Sequence, residues 1–152
     1  MIIGNPDTFA LIVDVVRHWN NDNHFNNGVL CLCIDRVLMP NYLVNATLNT
    51  DLYVLLDYLE NVKENVDVFQ MDKREAFEHI YKLRFPEDYD LDNDYSYDVS
   101  PYSLSDQGYY VFAVKNGEKV RFLGAKLQYV IEEGVHVLEG IDIEETYITI
   151  KE

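Results

Sequence analysis

The sequence predicts an α+β fold, a mostly antiparallel sheet with about two helices in one domain over residues 1–152. Short segments rich in β-branched and aromatic residues alternate with turn residues, as they do in antiparallel sheets. The Asn116-Gly117 dipeptide between two apolar runs is a strong hairpin signal. Two segments in the middle of the chain instead carry apolar residues at helical spacing.

The first elements are predicted to be strands. Residues 8–19 fit either a helical face or strand alternation. A strand is favoured by the β-branched cluster of Ile12, Val13, Val15 and Val16. In chain order we expect a strand within residues 8–19, an Asn-, Asp- and Gly-rich loop at residues 20–28, a strand at residues 29–34, a turn at Asp35 and Arg36, and a short return through Val37 and Leu38 that Pro40 ends.

A first helix is predicted at residues 51–63, with Asn49 or Thr50 as its cap. Its inner stripe repeats with the helical period and consists of Leu52, Leu55, Leu56, Leu59 and Val62. Its other side carries an acidic face, which is usually only solvated, made of Asp57, Glu60 and Glu64.

A second helix is predicted at residues 73–83, because Asp72 is a favoured N-cap and Glu75 follows three residues later. This helix must end before Pro86, which restricts the residue that precedes it. Its inner stripe is expected to consist of Phe77, Ile80 and Tyr81.

The last third of the chain is predicted to be strands. Residues 109–115 and 118–123 would pair as a hairpin around Asn116-Gly117, since both turn positions accept positive φ. Shorter strands are expected to complete the same sheet at residues 127–131, 135–138 and 146–150.

An acidic, tyrosine-rich loop is predicted at residues 87–107, which contain no Lys or Arg. Loops of this length are usually functional or disordered, and the tyrosines favour an ordered one. Clustered carboxylates repel each other, so their concentration predicts a surface that binds a basic partner. Asp106 is the seventh carboxylate of the loop, and the candidate partner-binding residues are Glu87, Asp88, Tyr89, Asp90, Asp92, Asp94, Tyr95, Tyr97, Asp98 and Tyr102.

Composition excludes several classes of function. The net charge of -15 argues against nucleic-acid and anionic-membrane partners, which both require Lys and Arg. No apolar run approaches the roughly 20 residues that cross a bilayer. The chain begins Met1-Ile2-Ile3 and turns at Gly4, unlike a secretory signal, so we expect a cytoplasmic protein.

No residue pattern identifies a reaction, a cofactor or a metal site. The carboxylates alternate as in an EF-hand loop, but Asn93 or Tyr95 stands where the loop requires glycine. Cys31 and Cys33 are expected to be reduced, semi-buried strand residues. Each histidine is expected to be a surface or satisfied core residue without zinc-binding spacing: His18, His24, His79 and His136.

The chain resembles bacterial immunity proteins that protect cells from their own polymorphic or contact-dependent growth-inhibition toxins. The resemblance covers most of the chain and rests on short patterns: Met1-Ile2-Ile3-Gly4-Asn5-Pro6 leading to Phe9-Ala10, the strand from Gly28 to Ile34-Asp35, the leucine-rich helix after Leu48, the Phe77 helix, and Lys115-Asn116-Gly117 running into Val120-Arg121-Phe122-Leu123. Arg36 departs from the pattern, because a glycine is expected in that turn.

The resemblance implies a cytosolic antidote that binds one toxin domain and blocks it. Such toxins are often nucleases with basic active sites, in which the acidic loop would fit. Other interpretations remain open: a nucleic-acid mimic that inhibits a DNA-binding protein, a hydrolase, or a metal-binding module. In a further interpretation, the acidic loop is only a solvated segment whose tyrosines point inward. The partner would then bind the acidic helix face or the turn at Asn116.

Overall fold

The protein, described here by a computed structural model for residues 1–20 and 26–150, has the predicted α+β fold with antiparallel sheets and two substantial helices. The strands are β1 (Ile2–Gly4), β2 (Phe9–Val15), β3 (Asn27–Ile34), β4 (Val37–Met39), β5 (Ala46–Thr47), β6 (Tyr109–Asn116), β7 (Lys119–Lys126), β8 (Gln128–Val130), β9 (Val135–Val137) and β10 (Glu144–Thr149). The helices are α1 (Leu48–Glu60), α2 (Val66–Gln70), α3 (Lys73–Arg84) and α4 (Tyr102–Ser105), and a 3₁₀ turn lies at Arg17–Trp19.

The central sheet lies between an outer sheet on one side and helices α2 and α3 on the other. The outer sheet has the order β1-β2-β3-β4, with β5 also paired to β3, and the central sheet has the order β10-β7-β6. Side chains of β6 alternate between two cores, because successive residues of a strand point to opposite faces. Val111 and Ala113 face the outer sheet, whereas Phe112 and Val114 face α2 and α3.

The outer and central sheets pack closely. The rings of Phe9 and Phe122 stack across this interface with their centroids 3.9 Å apart. Gly124 lies in this interface: a Cβ there would lie 2.7 Å from Cδ1 of Ile34 and 2.8 Å from Sδ of Met39. A side chain at this position would therefore force the Ile34 and Met39 side chains to shift.

The predicted N-terminal strands are confirmed, with two differences. Strand β2 forms within residues 8–19, while β1, which was not predicted, pairs with it through Ile2 and Ile12. The prediction of a loop at residues 20–28 is wrong for Asn27 and Gly28, which begin β3. Residues 21–25 of that predicted loop, which include His24, lie outside the described residues.

The turn between β3 and β4 forms without the glycine that the resemblance led us to expect. Ile34 pairs with Val37, so Asp35 and Arg36 are the two turn residues. Both have positive φ, 48° and 69°, as the mirror-image turn of a tight hairpin requires. The hairpin geometry is thus kept, with two side chains in a backbone region that favours glycine.

Helix α1 begins earlier than predicted, at Leu48, and its N-cap residue is Thr47 instead of Asn49 or Thr50. Leu55 is fully buried, but Leu56 is 57% exposed, so the predicted stripe was too wide. The cause is that α1 packs mainly on one side, against β3 and β5.

Helix α3 is confirmed: the Asp72 carboxylate accepts a hydrogen bond from the backbone N–H of Arg74 at 3.2 Å, and Phe77, Ile80 and Tyr81 are buried. Helices α2 and α4 were not predicted, because four or five residues are too short to show a helical period. No helix in the described parts of the chain is long and apolar enough to span a bilayer.

The predicted C-terminal hairpin is confirmed as β6 and β7, although its turn is shifted by one residue. Asn116 pairs with Lys119, so Gly117, with φ of 60°, and Glu118 form the turn. Strands β8 and β9 form a separate hairpin, contrary to the expectation that they complete the sheet, whereas β10 does join it beside β7.

Candidate functional site

The acidic segment, defined here as residues 87–98, follows α3 and is anchored to the fold at its second half. The backbone N–H of Asp94 donates to the carbonyl of Leu83 at 2.9 Å, and Asp98 forms a β-bridge with Phe112. The backbone N–H of Ala113 donates to the carbonyl of Tyr97 at 2.8 Å. The predicted ordered loop therefore forms, and its first half projects from a fixed base.

A buried ion pair joins this base to α3. Nε of Arg84 lies 2.9 Å from a carboxylate oxygen of Asp98, which is only 7% exposed. The other oxygen of Asp98 accepts the backbone N–H of Ser100 at 2.9 Å. The Arg84 guanidinium also lies over the rings of Phe85 and Tyr95, at 4.5 and 4.0 Å from their centroids. Asp98 thus holds the segment in place.

Tyr97 also points inward. Its ring is 2% exposed, and its hydroxyl accepts a hydrogen bond from the side-chain amide of Asn65 at 3.0 Å. The ammonium group of Lys63 lies 5.0 Å from the ring centroid. The Tyr97 ring, like the Asp98 carboxylate, is therefore withdrawn from the surface that a partner would meet.

Asp94 occupies an intermediate position. Its carboxylate accepts the backbone N–H of Ser96 at 2.9 Å and lies 3.9 Å from the ammonium group of Lys63. Burial raises the pKa of Asp94, but the hydrogen bonds from Ser96 and the charge of Lys63 outweigh it and hold the pKa below its ordinary value. Part of its charge is thus already balanced within the protein.

The remaining predicted partner-binding residues are exposed: Glu87, Asp88, Tyr89, Asp90, Asp92, Tyr95 and Tyr102. The ring of Tyr89 is fully exposed, at 101%. Within the described residues no salt bridge joins Glu87, Asp88, Asp90 or Asp92 to a basic group. Tyr102 stands apart from the others, at the start of α4 and beyond the buried residues 97–101.

Sequence reasoning missed a cluster of aromatic rings around His136, which lies beside the acidic segment. Its ring is 5.1 Å from both Phe85 and Tyr129, 5.3 Å from Tyr110 and 5.7 Å from Tyr81, measured between centroids. One contact of this cluster could have been predicted from the sequence. If the predicted strands at residues 127–131 and 135–138 pair as a hairpin in the register that the structure shows, Tyr129 lies opposite His136.

The imidazole of His136 is held in a neutral form. The Tyr81 hydroxyl accepts the backbone N–H of His136 at 3.3 Å and lies 3.0 Å from Nδ1, so we assign the hydroxyl proton to that bond. Burial, together with the charge of Arg84, lowers the pKa of His136. The ring therefore acts as an aromatic and hydrogen-bonding group at neutral pH.

The chemistry that this surface offers is charge and aromatic contact. In the described part of the chain, no group of three or more His, Cys, Asp or Glu side chains has the arrangement of a metal site. Cys31 and Cys33 are free and more deeply buried than predicted, and burial raises the pKa of both thiols. A raised pKa makes a thiol less nucleophilic at neutral pH.

Comparison with known proteins identifies the class. The profile of the family Immunity protein 42 matches residues 1–152, and the chain belongs to this family of immunity proteins. A solved structure, that of CdiI from Burkholderia dolosa AUO158, is similar, with a TM-score of 0.76 and 28% identity over 97% of this chain and 90% of that one. No curated protein matches.

The protein is therefore an immunity protein that neutralises a cognate toxin, and it is not an enzyme. CdiI is the immunity protein of a contact-dependent inhibition system. The resemblance described from the sequence is confirmed by both the family and the structure.

Proposed function

We propose that this immunity protein works in the cytoplasm and neutralises a basic nuclease domain, which it contacts through the exposed half of the acidic segment. One observation carries the proposal: Glu87, Asp88, Asp90 and Asp92 are exposed beside Tyr89 on a segment that is fixed at its base. A surface that is ordered before binding loses little conformational entropy when it binds.

Charge and rings would have different roles in the complex. The exposed carboxylates attract a basic domain over a distance and raise its association rate, which can reach about 10⁸–10⁹ M⁻¹s⁻¹ at low salt. Tyrosine side chains, which are enriched among interface hot spots, then become buried and slow dissociation. Asp94 and Asp98 contribute less to the attraction, because Lys63 and Arg84 lie against them.

The proposal that the toxin is a nuclease rests on the complementary charges of the acidic segment and a nuclease active site. A nuclease must hold phosphate groups and therefore has a basic active site, which an acidic segment matches in sign. A net charge of -15 adds a general attraction to the same partner. Toxins with a neutral or acidic catalytic domain would not explain why the carboxylates are clustered and exposed.

The test is co-expression with the toxin domain encoded beside this gene. We expect the chain to restore growth, to form a complex with that domain, and to inhibit cleavage of nucleic acid by the purified domain. The nuclease assignment fails if the domain is toxic without cleaving DNA or RNA. The proposed contact surface is wrong if substitutions of Asp57 and Glu60 on α1 weaken the complex while substitutions on the acidic segment do not.

A further inference from the structure

A groove separates the acidic segment from the β8–β9 hairpin. Its floor contains His136 with its neighbouring rings, and its volume is about 690 Å³. One wall is formed by the end of α3 and the first half of the acidic segment, and the other by β8, β9 and the turn between them. The principal lining residues are Tyr81, Phe85, Tyr89, Leu91, Tyr129 and His136.

The rim of this groove carries several exposed apolar side chains. Tyr89, Leu91, Tyr129 and Val135 all line it, with exposed fractions of 101%, 61%, 53% and 44%. Exposed apolar side chains that are grouped around a concavity indicate a binding site more than scattered ones do. Aromatic rings with one solvent-exposed face are suited to stacking against a planar group.

The charges around the groove favour a cation. Glu87, Asp88 and Glu133 line it, against a single basic side chain, Lys82. Asp90 and Asp92 do not line it, whereas their neighbours Leu91 and Asn93 do. The exposed carboxylates of the acidic segment therefore form two sets, Glu87 and Asp88 at the groove and Asp90 and Asp92 outside it.

The protein binds two of its own arginines through the same combination of groups. Arg84 pairs with Asp98 and lies over Phe85 and Tyr95. Arg121, only 2% exposed, pairs with Glu145 at 2.8 Å and lies 5.7 Å from the centroid of Tyr147. An aromatic ring stacks on the flat surface of a guanidinium group, and a carboxylate accepts hydrogen bonds from the N–H donors along its edge.

We propose that this groove receives an arginine side chain of the toxin domain, with the guanidinium stacked on Tyr129 and the neighbouring rings and its N–H groups donating to Glu87, Asp88 or Glu133. The inference rests on the proposed function, since it names the chemistry by which the same surface holds its partner. Arginine fits better than lysine because its planar group stacks and donates in a fork. A neutral His136 ring on the floor does not repel it.

A first test uses an arginine probe and does not require the toxin. Acetyl-arginine-amide is added to the isotope-labelled protein while the ring resonances of Tyr129 and His136 are followed by NMR. We expect saturable shifts confined to the groove, with acetyl-norleucine-amide giving none. Shifts that do not saturate, or equal shifts with the norleucine or lysine compound, would overturn the inference.

A second test uses the cognate toxin domain and three matched tyrosine variants. Tyr129→Ala and Tyr89→Ala each remove a groove ring, and we expect dissociation of the complex to accelerate about tenfold or more. Tyr53→Ala is the control, because Tyr53 is 77% exposed on α1, away from the groove, and its variant should dissociate as the wild type does.

The outcomes separate the inference from the proposed function. If both groove variants dissociate like the wild type while the wild type still binds a basic nuclease, the groove is not the arginine site. Neutralisation of a nuclease then stands, without the role given to Tyr89. If Tyr53→Ala accelerates dissociation and the groove variants do not, the contact lies on α1, so the groove inference and the proposed contact surface are both wrong.

Discussion

Arg36 occupies a backbone conformation that a residue with a Cβ rarely adopts, with φ of 69°. Replacing it by glycine removes a strain of about 1–2 kcal/mol and adds some entropy to the unfolded chain. We expect Arg36→Gly to raise the free energy of unfolding by about 0.5–1 kcal/mol in urea denaturation. Arg36→Ala loses the same charge but keeps the Cβ, so an equal gain from that variant would show that strain is not the cause.

The ion pair of Arg84 and Asp98 is expected to be a main anchor of the acidic segment. Asp98→Ala leaves a largely buried guanidinium without its partner and should lower the free energy of unfolding by about 3 kcal/mol. Glu78→Ala, which removes one member of an exposed pair with Arg74, should cost less than about 1 kcal/mol.

The readout is chemical denaturation together with amide hydrogen exchange of residues 94–99. Faster exchange there in Asp98→Ala, without faster exchange in β3, would show that the segment is locally released. Equal costs for Asp98→Ala and Glu78→Ala would contradict the assigned role.

His136 gives a dependence of stability on pH whose sign follows from its lowered pKa. The folded state binds fewer protons than the unfolded state, so this contribution is complete above the ordinary pKa of about 6.5 and is lost as pH falls below it. Burial and the charge of Arg84 oppose protonation. The other charged groups that line the same groove are Lys82, Glu87, Asp88 and Glu133.

The prediction is that stability measured at pH 7 and pH 5 differs less in His136→Gln than in the wild type. An NMR titration of the wild type should give a His136 pKa below the ordinary value. A pKa above that value, or a variant that loses stability on acidification as steeply as the wild type, would contradict the neutral assignment.

At the scale of elements, Gly124 lies where the central sheet packs against the outer sheet. A Cβ at this position would press on Ile34 and Met39, so we expect Gly124→Ala to lower the free energy of unfolding by about 1–3 kcal/mol. Ile34→Val removes the nearest atom, Cδ1, and should therefore recover part of the loss in the double variant. Additive costs of the two substitutions in thermal or urea denaturation would show that the contact is not the cause.

The sequence allowed long or strongly patterned elements to be predicted, and it failed where tertiary contacts decide. The β-branched cluster in β2, the capping signal of α3 and the hairpin of β6 and β7 are local, and all three were predicted. Strand β1 is recognisable only through its pairing with β2, and α2 and α4 are too short to show a period.

The candidate surface was predictable in composition and less so in placement. The run of carboxylates and tyrosines was visible in the sequence, but the burial of Tyr97 and Asp98 depends on Asn65, Arg84 and Phe112, which are distant along the chain or on other elements. For the same reason the cluster around His136, built from α3, β6 and the β8–β9 hairpin, was missed.

At the scale of the whole molecule, excess negative charge is concentrated on a segment that the fold holds outward. Self-repulsion of 27 acidic against 12 basic residues disfavours the compact state, and a large, layered core with two buried faces on the central sheet offsets it. Under the proposed function, this arrangement helps the protein to find its toxin before the toxin acts.

The rate of association with the toxin domain, measured by stopped flow across a range of salt concentrations, tests the central claim most directly. Asp90→Asn/Asp92→Asn removes two exposed charges outside the groove and should slow association about three- to tenfold at low salt, with a shallower salt dependence. Asp57→Asn/Glu60→Gln, with the same change of charge on α1, should change the rate by less than about twofold. Equal slowing by the two double variants, or none by the first, would contradict the claim that the acidic segment guides the toxin.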